Sequence, residues 1–310
     1  MLSYYLTDDT GNLHALDRIQ KNCWINMIQP TREEVDEISA HLDIPLDFIW
    51  DTLDHYERGR VERRGENVLV IIDFPVKSLD RLKIEYFRTI PMGIISLKDY
   101  FITVCLKDNH ILERFSTQKL ANFSTQQKTH FALRIMEEII SVYLKDLIFL
   151  QQKNNELEER LNNTIEDDRL EELVSIQKSL VFFSSSLNNV KRISEKMIKV
   201  EYLPARPEDH SFLEDLVIEI KQVLEMTDNH SNTLNYMTGI YTSIISNKVN
   251  AVMKSLTLFT IILTAPTLVF SFFGMNVYLP FMNISWAWVI TLIISAAISG
   301  IFAWILIKRH

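Results

Sequence analysis

Glycine is scarce in this chain, with seven in 310 residues, and none belongs to a G-x-x-x-x-G-K-[ST] or G-x-G-x-x-G loop. Those loops cradle phosphates with bare backbone, so their absence argues against a nucleotide-driven pump. The two cysteines, Cys23 and Cys105, have neither metal-ligand nor disulfide-framework spacing, which fits reduced cytosolic thiols. An excess of positive charge is missing too: 32 Lys and Arg stand against 40 Asp and Glu, a net charge of -8, which argues against nucleic acid as a partner. No Ser-His-Asp, H-E-x-x-H or Cys-His arrangement occurs. The pairs Glu137-Glu138 and Glu158-Glu159 lie on long periodic helices and read as solvated faces, not as catalytic carboxylates. No enzyme is expected. The opening residues, MLSYYLTDDTGN, lack the basic and apolar regions of a signal peptide, so the first large segment is expected to stay in the cytosol.

What the chain does contain divides it. Its length fits about two domains, and a mean hydropathy of +0.03 suggests a soluble part joined to a membrane part. Residues 1–120 read as a mixed α/β cytosolic domain. Residues 22–29 are predicted as a strand ending at Pro30, and Thr31 with Glu34 forms a capping box for the helix that follows. A second short helix is expected over 44–53. Strands are expected over 68–74, over 84–97 with an interruption at Pro91-Met92-Gly93, and over 101–106 after a turn at Lys98-Asp99-Tyr100.

Residues 121–252 read as long helices. Leu133, Met136, Ile140, Tyr143, Leu147, Leu150, Asn154, Leu157 and Leu161 step by three and four, a helix with a coiled-coil-like seam. After an acidic turn at Glu166-Asp167-Asp168, Leu173, Leu180, Leu187 and Val190 continue a related spacing, so the pair is expected to form an antiparallel hairpin. Pro204 and Pro207 break the pattern. A stalk helix of some sixty residues, roughly 90 Å, then runs from Ser211 to about Phe273.

Residues 253–310 read as a membrane domain. Ser255 to Phe273 carries no charge for about nineteen positions, close to the length that crosses a bilayer. A second span is expected over 286–307. Lys248 and Lys254 precede the first span, Lys308 and Arg309 follow the second, and the loop between them has no basic residue. Both termini are therefore expected on the cytoplasmic side of a cell membrane.

The first span is not uniformly apolar. Asn250, Met253, Thr257, Thr260, Thr264, Thr267 and Ser271 recur at alternating steps of three and four, which places them on one helix face. Two helices per chain cannot enclose water, so such a stripe is best satisfied by several copies of the helix around one axis, a homo-oligomer in lipid. The competing reading is that the hydroxyls bond their own i-4 carbonyls.

The stripe ends in Gly274-Met275-Asn276, between two terminal spans and after a long helix. Together with Ser246-Asn247-Lys248, Asn250 and Val252-Met253-Lys254, this layout resembles the CorA-type magnesium transporter family. The resemblance implies a funnel-shaped homopentamer of α+β cytosolic domains, long helices and two spans, located in the cell (inner) membrane. It implies a pore lined by the first span, with Asn276 ringing the outer mouth and Met253 and Leu256 forming an apolar constriction. Gly274 would allow close backbone approach or an unusual φ, and Met275 would pack between helices. Mg²⁺ would be the transported ion and a regulatory ligand held between cytosolic domains, with Asp215 matching one acidic position and Asp80 a candidate partner. Other acidic positions of the family appear here as Asn232 and Gly239, and 277–285 has no acid. Alternatives are a Zn²⁺, Co²⁺ or Ni²⁺ transporter of the same family, or a membrane-anchored sensor without transport.

Overall fold

A computed structural model of the chain describes residues 1–80, 83–118, 120, 123–161, 167–275 and 286–308. The chain forms two compact units, Met1–Met237 and Thr238–His310.

The first unit is built on a seven-stranded sheet: β1 (Leu2–Thr7), β2 (Leu13–Leu16), β3 (Trp24–Ile28), β4 (Arg60–Arg64), β5 (Asn67–Leu79), β6 (Glu85–Ser96) and β7 (Phe101–Cys105). Their order is β2-β1-β3-β7-β6-β5-β4. All neighbours are antiparallel except β3 and β7, which pair in parallel from Trp24 opposite Phe101 to Ile28 opposite Cys105. Helices α1 (Arg32–Leu42), α2 (Leu46–Thr52), α3 (His110–Ser116), α4 (Lys128–Leu161) and α5 (Asp167–Lys199) complete this unit with the start of α6 (Pro207–Phe273).

Alternation along the strands creates two cores. Val68, Val70, Ile72 and Phe74 of β5 face one core with the seams of α4 and α5. Leu69 and Ile71 face the other, which contains Val35 and Ile38 of α1 and Phe48 and Ile49 of α2. The capping box is present: Thr31 Oγ1 accepts from Glu34 N–H, and the Glu34 carboxylate accepts from Thr31 N–H.

The strand expected to be interrupted at Pro91-Met92-Gly93 is continuous. β7 pairs with β6 only from Met92 to Ser96, so at Pro91 only β5 lies beside β6, and proline is tolerated where its missing N–H faces no strand. Gly93 serves packing across the sheet, because a Cβ there would lie 2.6 Å from Thr52 Cγ2 on α2.

Helices α4 and α5 form the expected antiparallel pair. Thr129 Oγ1 donates to the Pro204 carbonyl, and Tyr143 Oη donates to Ser186 Oγ at 2.6 Å. Positions rising along α4 therefore meet positions falling along the returning chain. Every seam position from Leu133 to Leu157 is buried, while the Leu161 side chain and Glu166 lie outside the described residues; Asp167 and Asp168, expected in the turn, open α5. Helix α6 starts at Pro207, four residues before the expected Ser211. Proline at the first helical position loses no internal bond, and the Asp209 carboxylate accepts the Arg206 N–H to cap that end.

In the second unit, the remainder of α6 runs to Phe273, and α7 spans Ala287–Lys308. Both are long and apolar enough to cross a membrane by length and composition.

Candidate ion-conduction helix

The polar stripe lies on α6, with Asn250, Met253, Leu256, Thr257, Thr260, Thr264, Thr267 and Ser271 all exposed in the single chain. Besides Ile261, which flanks the stripe, the less exposed residues of the same stretch are Leu258, Ile262, Pro266, Val269 and Phe273. At about 100° per residue these occupy the face opposite the stripe. On α7 the more covered positions include Ile294, Ser295, Ile298 and Ser299. Small side chains such as Ser295, 3% exposed, permit close helix packing in a membrane. The stripe is thus the side of α6 that its own chain leaves open.

The four threonine hydroxyls all bond backward. Thr257 donates to the Met253 carbonyl, Thr260 to Leu256, Thr264 to Thr260 and Thr267 to Leu263, at 2.7–2.8 Å. Local bonding, the rival reading of these residues, accounts for their donors. A hydroxyl has two acceptor lone pairs besides its single proton, and among the described residues no donor reaches these four oxygens. Each threonine therefore presents an oxygen of fixed polarity: acceptor only.

Below the threonines, a hollow of about 730 Å³ is lined by Asn247, Asn250, Met253, Lys254, Thr257 and Leu258, among others. Within the stretch, Pro266 has no N–H for the Ile262 carbonyl, which weakens the helix on the face away from the stripe. Gly274 N–H closes the last turn on Phe270 O at 2.9 Å. Its φ is not left-handed. A Cβ at Gly274 would stand 3.1 Å from that carbonyl oxygen of its own last turn. Met275 is half exposed. Asn276 and the loop 277–285 lie outside the described residues.

Charge along this unit is one-sided. No Asp or Glu occurs after Asp228. A cation passing along the stripe would meet amide, hydroxyl and carbonyl oxygens, and no carboxylate.

The regulatory candidates lie in the first unit. Asp215 is exposed on α6 and has no ion pair among the described residues. Asp80 sits in the turn between β5 and β6, where its carboxylate accepts the Ile84 N–H at 2.9 Å. Among the described residues, no group of three or more His, Cys, Asp or Glu is placed to hold a metal. Cys23 and Cys105 are buried free thiols whose pKa burial raises, as expected for unreactive cysteines.

Comparison with known proteins gives this geometry a family. The family model for CorA-like Mg²⁺ transporter proteins matches residues 20–309. The cobalt/magnesium transport protein CorA of Methanocaldococcus jannaschii is 28% identical over 266 residues, covering 84% of this chain and 82% of that one. A magnesium transport protein CorA of Campylobacter jejuni is 22% identical, covering 91% and 88%. The complete structure of the M. jannaschii CorA magnesium transporter aligns with a TM-score of 0.82 at 25% identity, covering 98% and 96%. On the match across nearly its whole length, the chain belongs to the CorA-like Mg²⁺ transporter family.

Proposed function

We propose that copies of this chain assemble around the stripe of α6 to form a pore that admits a divalent cation, Mg²⁺ in the first place, to the cytosol. The observation that carries this reading is the row of back-bonded threonines on the open face of α6, in the part of that helix beyond Asp228 that holds no acid. Mg²⁺ gives up its water shell reluctantly. The waters of a hydrated ion point their protons outward, so the wall that suits them offers acceptors. Thr257, Thr260, Thr264 and Thr267 offer acceptors, and neutral oxygens hold the ion without the trap that a carboxylate ring would set.

The parts take an order along the helix. Asn276 forms a ring of amides at the outer mouth, with Gly274 and Met275 shaping its support. The threonines and Ser271 line the middle. Met253 and Leu256 form an apolar constriction that closes by dewetting, and Asn250 lies at the cytosolic end. Spans over 255–273 and 286–307, in the cell (inner) membrane with both termini in the cytosol, set this direction. Five copies and regulation by cytosolic Mg²⁺ at Asp215 and Asp80 follow from the family likeness. An inside-negative potential of about 100 mV supplies ~2.3 kcal/mol per charge, roughly 4.6 kcal/mol for a divalent ion, so entry needs no ATP.

Mg²⁺ flux into liposomes, compared between wild type and Asn276→Ala, tests this reading. Flux in wild type and its loss in the variant is the expected result. A second reading within the family is Co²⁺, and with it Zn²⁺ or Ni²⁺. The M. jannaschii relative is named for cobalt as well as magnesium, and flux of those ions without Mg²⁺ would replace the assignment. Absence of any cation flux would favour a membrane-anchored sensor.

A further inference from the structure

Between the α2–β4 loop, β6 and one face of α5 lies a cleft of about 710 Å³ that conduction does not use. Its wall collects four cations from three separate segments: Arg58 of the loop, Arg88 of β6, and Lys178 and Arg192 of α5. Their sequence positions give no hint of this grouping, because strand register and the packing of α5 bring them together. In a chain of net charge -8, unpaired cations held together run against the average.

None of the four pairs with a carboxylate among the described residues. The cleft has two acids, and each already has a partner. Glu57 is bound to Arg60, and Asp73, mostly buried on β5, takes a hydrogen bond from the Ser186 side chain. Arg192 bonds only the neutral Asn189 side chain, and Lys178 Nζ stands 3.9 Å from the centroid of the Tyr86 ring. Arg88 forms no ion pair among the described residues and lines the same hollow. Four like charges around one hollow repel one another. That repulsion is relieved by a ligand bearing several anionic oxygens.

Guanidinium forks match phosphate oxygens in pairs, and lysine adds a point charge. The volume falls within the range of small-molecule sites, ~300–1,000 Å³. Aromatic surface is also present, in Tyr86 stacked on Phe182 with centroids 6.5 Å apart and in Tyr56, 92% exposed at the rim. We propose that this cleft binds a metal-free oligophosphate of the nucleoside triphosphate class. Chelated Mg²⁺ would remove two negative charges from such a ligand and occupy its oxygens, and the cleft has no free carboxylate to share the metal. The site therefore favours the uncomplexed anion, whose share rises as free Mg²⁺ falls. This goes beyond transport and does not depend on it, since binding is read without flux.

Calorimetric titration of the full-length protein in detergent tests the proposal with three probes: ATP with a chelator, inorganic triphosphate, and ATP with excess Mg²⁺. The variant Lys178→Gln/Arg192→Gln changes two exposed side chains of α5 and spares the core, and Lys199→Gln, exposed at the end of α5 away from the cleft, is the charge control. Metal-free ATP is expected to bind more tightly than triphosphate, excess Mg²⁺ to weaken it, and the double variant to lose roughly tenfold or more while the control loses nothing. Equal affinity for ATP and triphosphate would remove the nucleoside from the proposal. Absence of binding at millimolar concentration, equal loss in the control, or tighter binding of the Mg²⁺ complex would overturn it.

Discussion

Thr264 donates its hydroxyl proton to the backbone carbonyl oxygen of Thr260, 2.7 Å away, which leaves the Thr264 hydroxyl oxygen as an acceptor, just as the bond from Thr260 to the Leu256 carbonyl does for Thr260. Thr264→Val keeps the branched shape and deletes that oxygen. Because the lost bond is local and the site exposed, thermal stability in detergent should change little. Mg²⁺ flux should fall by up to roughly tenfold, the worth of a hydrogen bond to each passing ion. Undiminished flux would remove Thr264 from the path.

Asp215 is exposed on α6 and unpaired among the described residues, so its carboxylate is available to a regulatory ion. Asp215→Ala should leave currents at low internal Mg²⁺ near the wild-type level and weaken their inhibition at high internal Mg²⁺. Equal inhibition in both proteins would exclude this residue from the sensor.

Gly93 gives α2 its seat on the sheet. In Gly93→Ala the new methyl would lie 2.6 Å from Thr52 Cγ2, and overpacking of this kind costs about 1–3 kcal/mol. Thermal unfolding should show a loss of that size, and adding Thr52→Ala should recover part of it. Strict additivity of the two changes would mean that the clash is relieved elsewhere.

Asp73 has its pKa raised by burial from 3.8 to about 6. Its neutral form is the one that the fold prefers, so its contribution to stability is complete below the unfolded pKa near 4 and is lost as pH rises through about 6. The two-unit shift is worth at most ~3 kcal/mol. Asp73→Asn should therefore gain stability relative to wild type between pH 4 and pH 7, measured by denaturant midpoints. A constant difference across that window would contradict the assignment.

Signals that depend on neighbours in sequence were legible. The Thr31 and Glu34 box, the buried seam of α4 and the phase of the stripe all follow from spacings within one helix. Features set by distant partners were not. Strands β1, β2 and β4 are short and of mixed polarity, with Tyr4 and Tyr5 half buried and Arg63 and Arg64 exposed, and they become strands by pairing with longer neighbours. Helix α3 is only seven residues long. Pro207 and Pro91 were read as breaks because proline's tolerance depends on which backbone group has a neighbour. The cations at positions 58, 88, 178 and 192 share a cleft only through tertiary packing. At the stripe, the sequence established the face but left the direction of the hydroxyl bonds open, and that direction determines which groups each threonine can serve.

The parallel pairing of β3 with β7 sets a constraint on how the protein is made. Trp24 reaches Thr103, its hydrogen-bond partner, across 79 residues of chain, so the middle of the sheet cannot close until β7 has left the ribosome. Contacts of such separation are slow to form, and domains are completed as the chain emerges. Until then β3 presents one open edge, with Trp24, Ile25 and Met27 uncovered on its faces. Substitutions that delay β7, such as a proline within Phe101–Cys105, should lower the yield of folded protein during synthesis more than they lower the stability of molecules already complete.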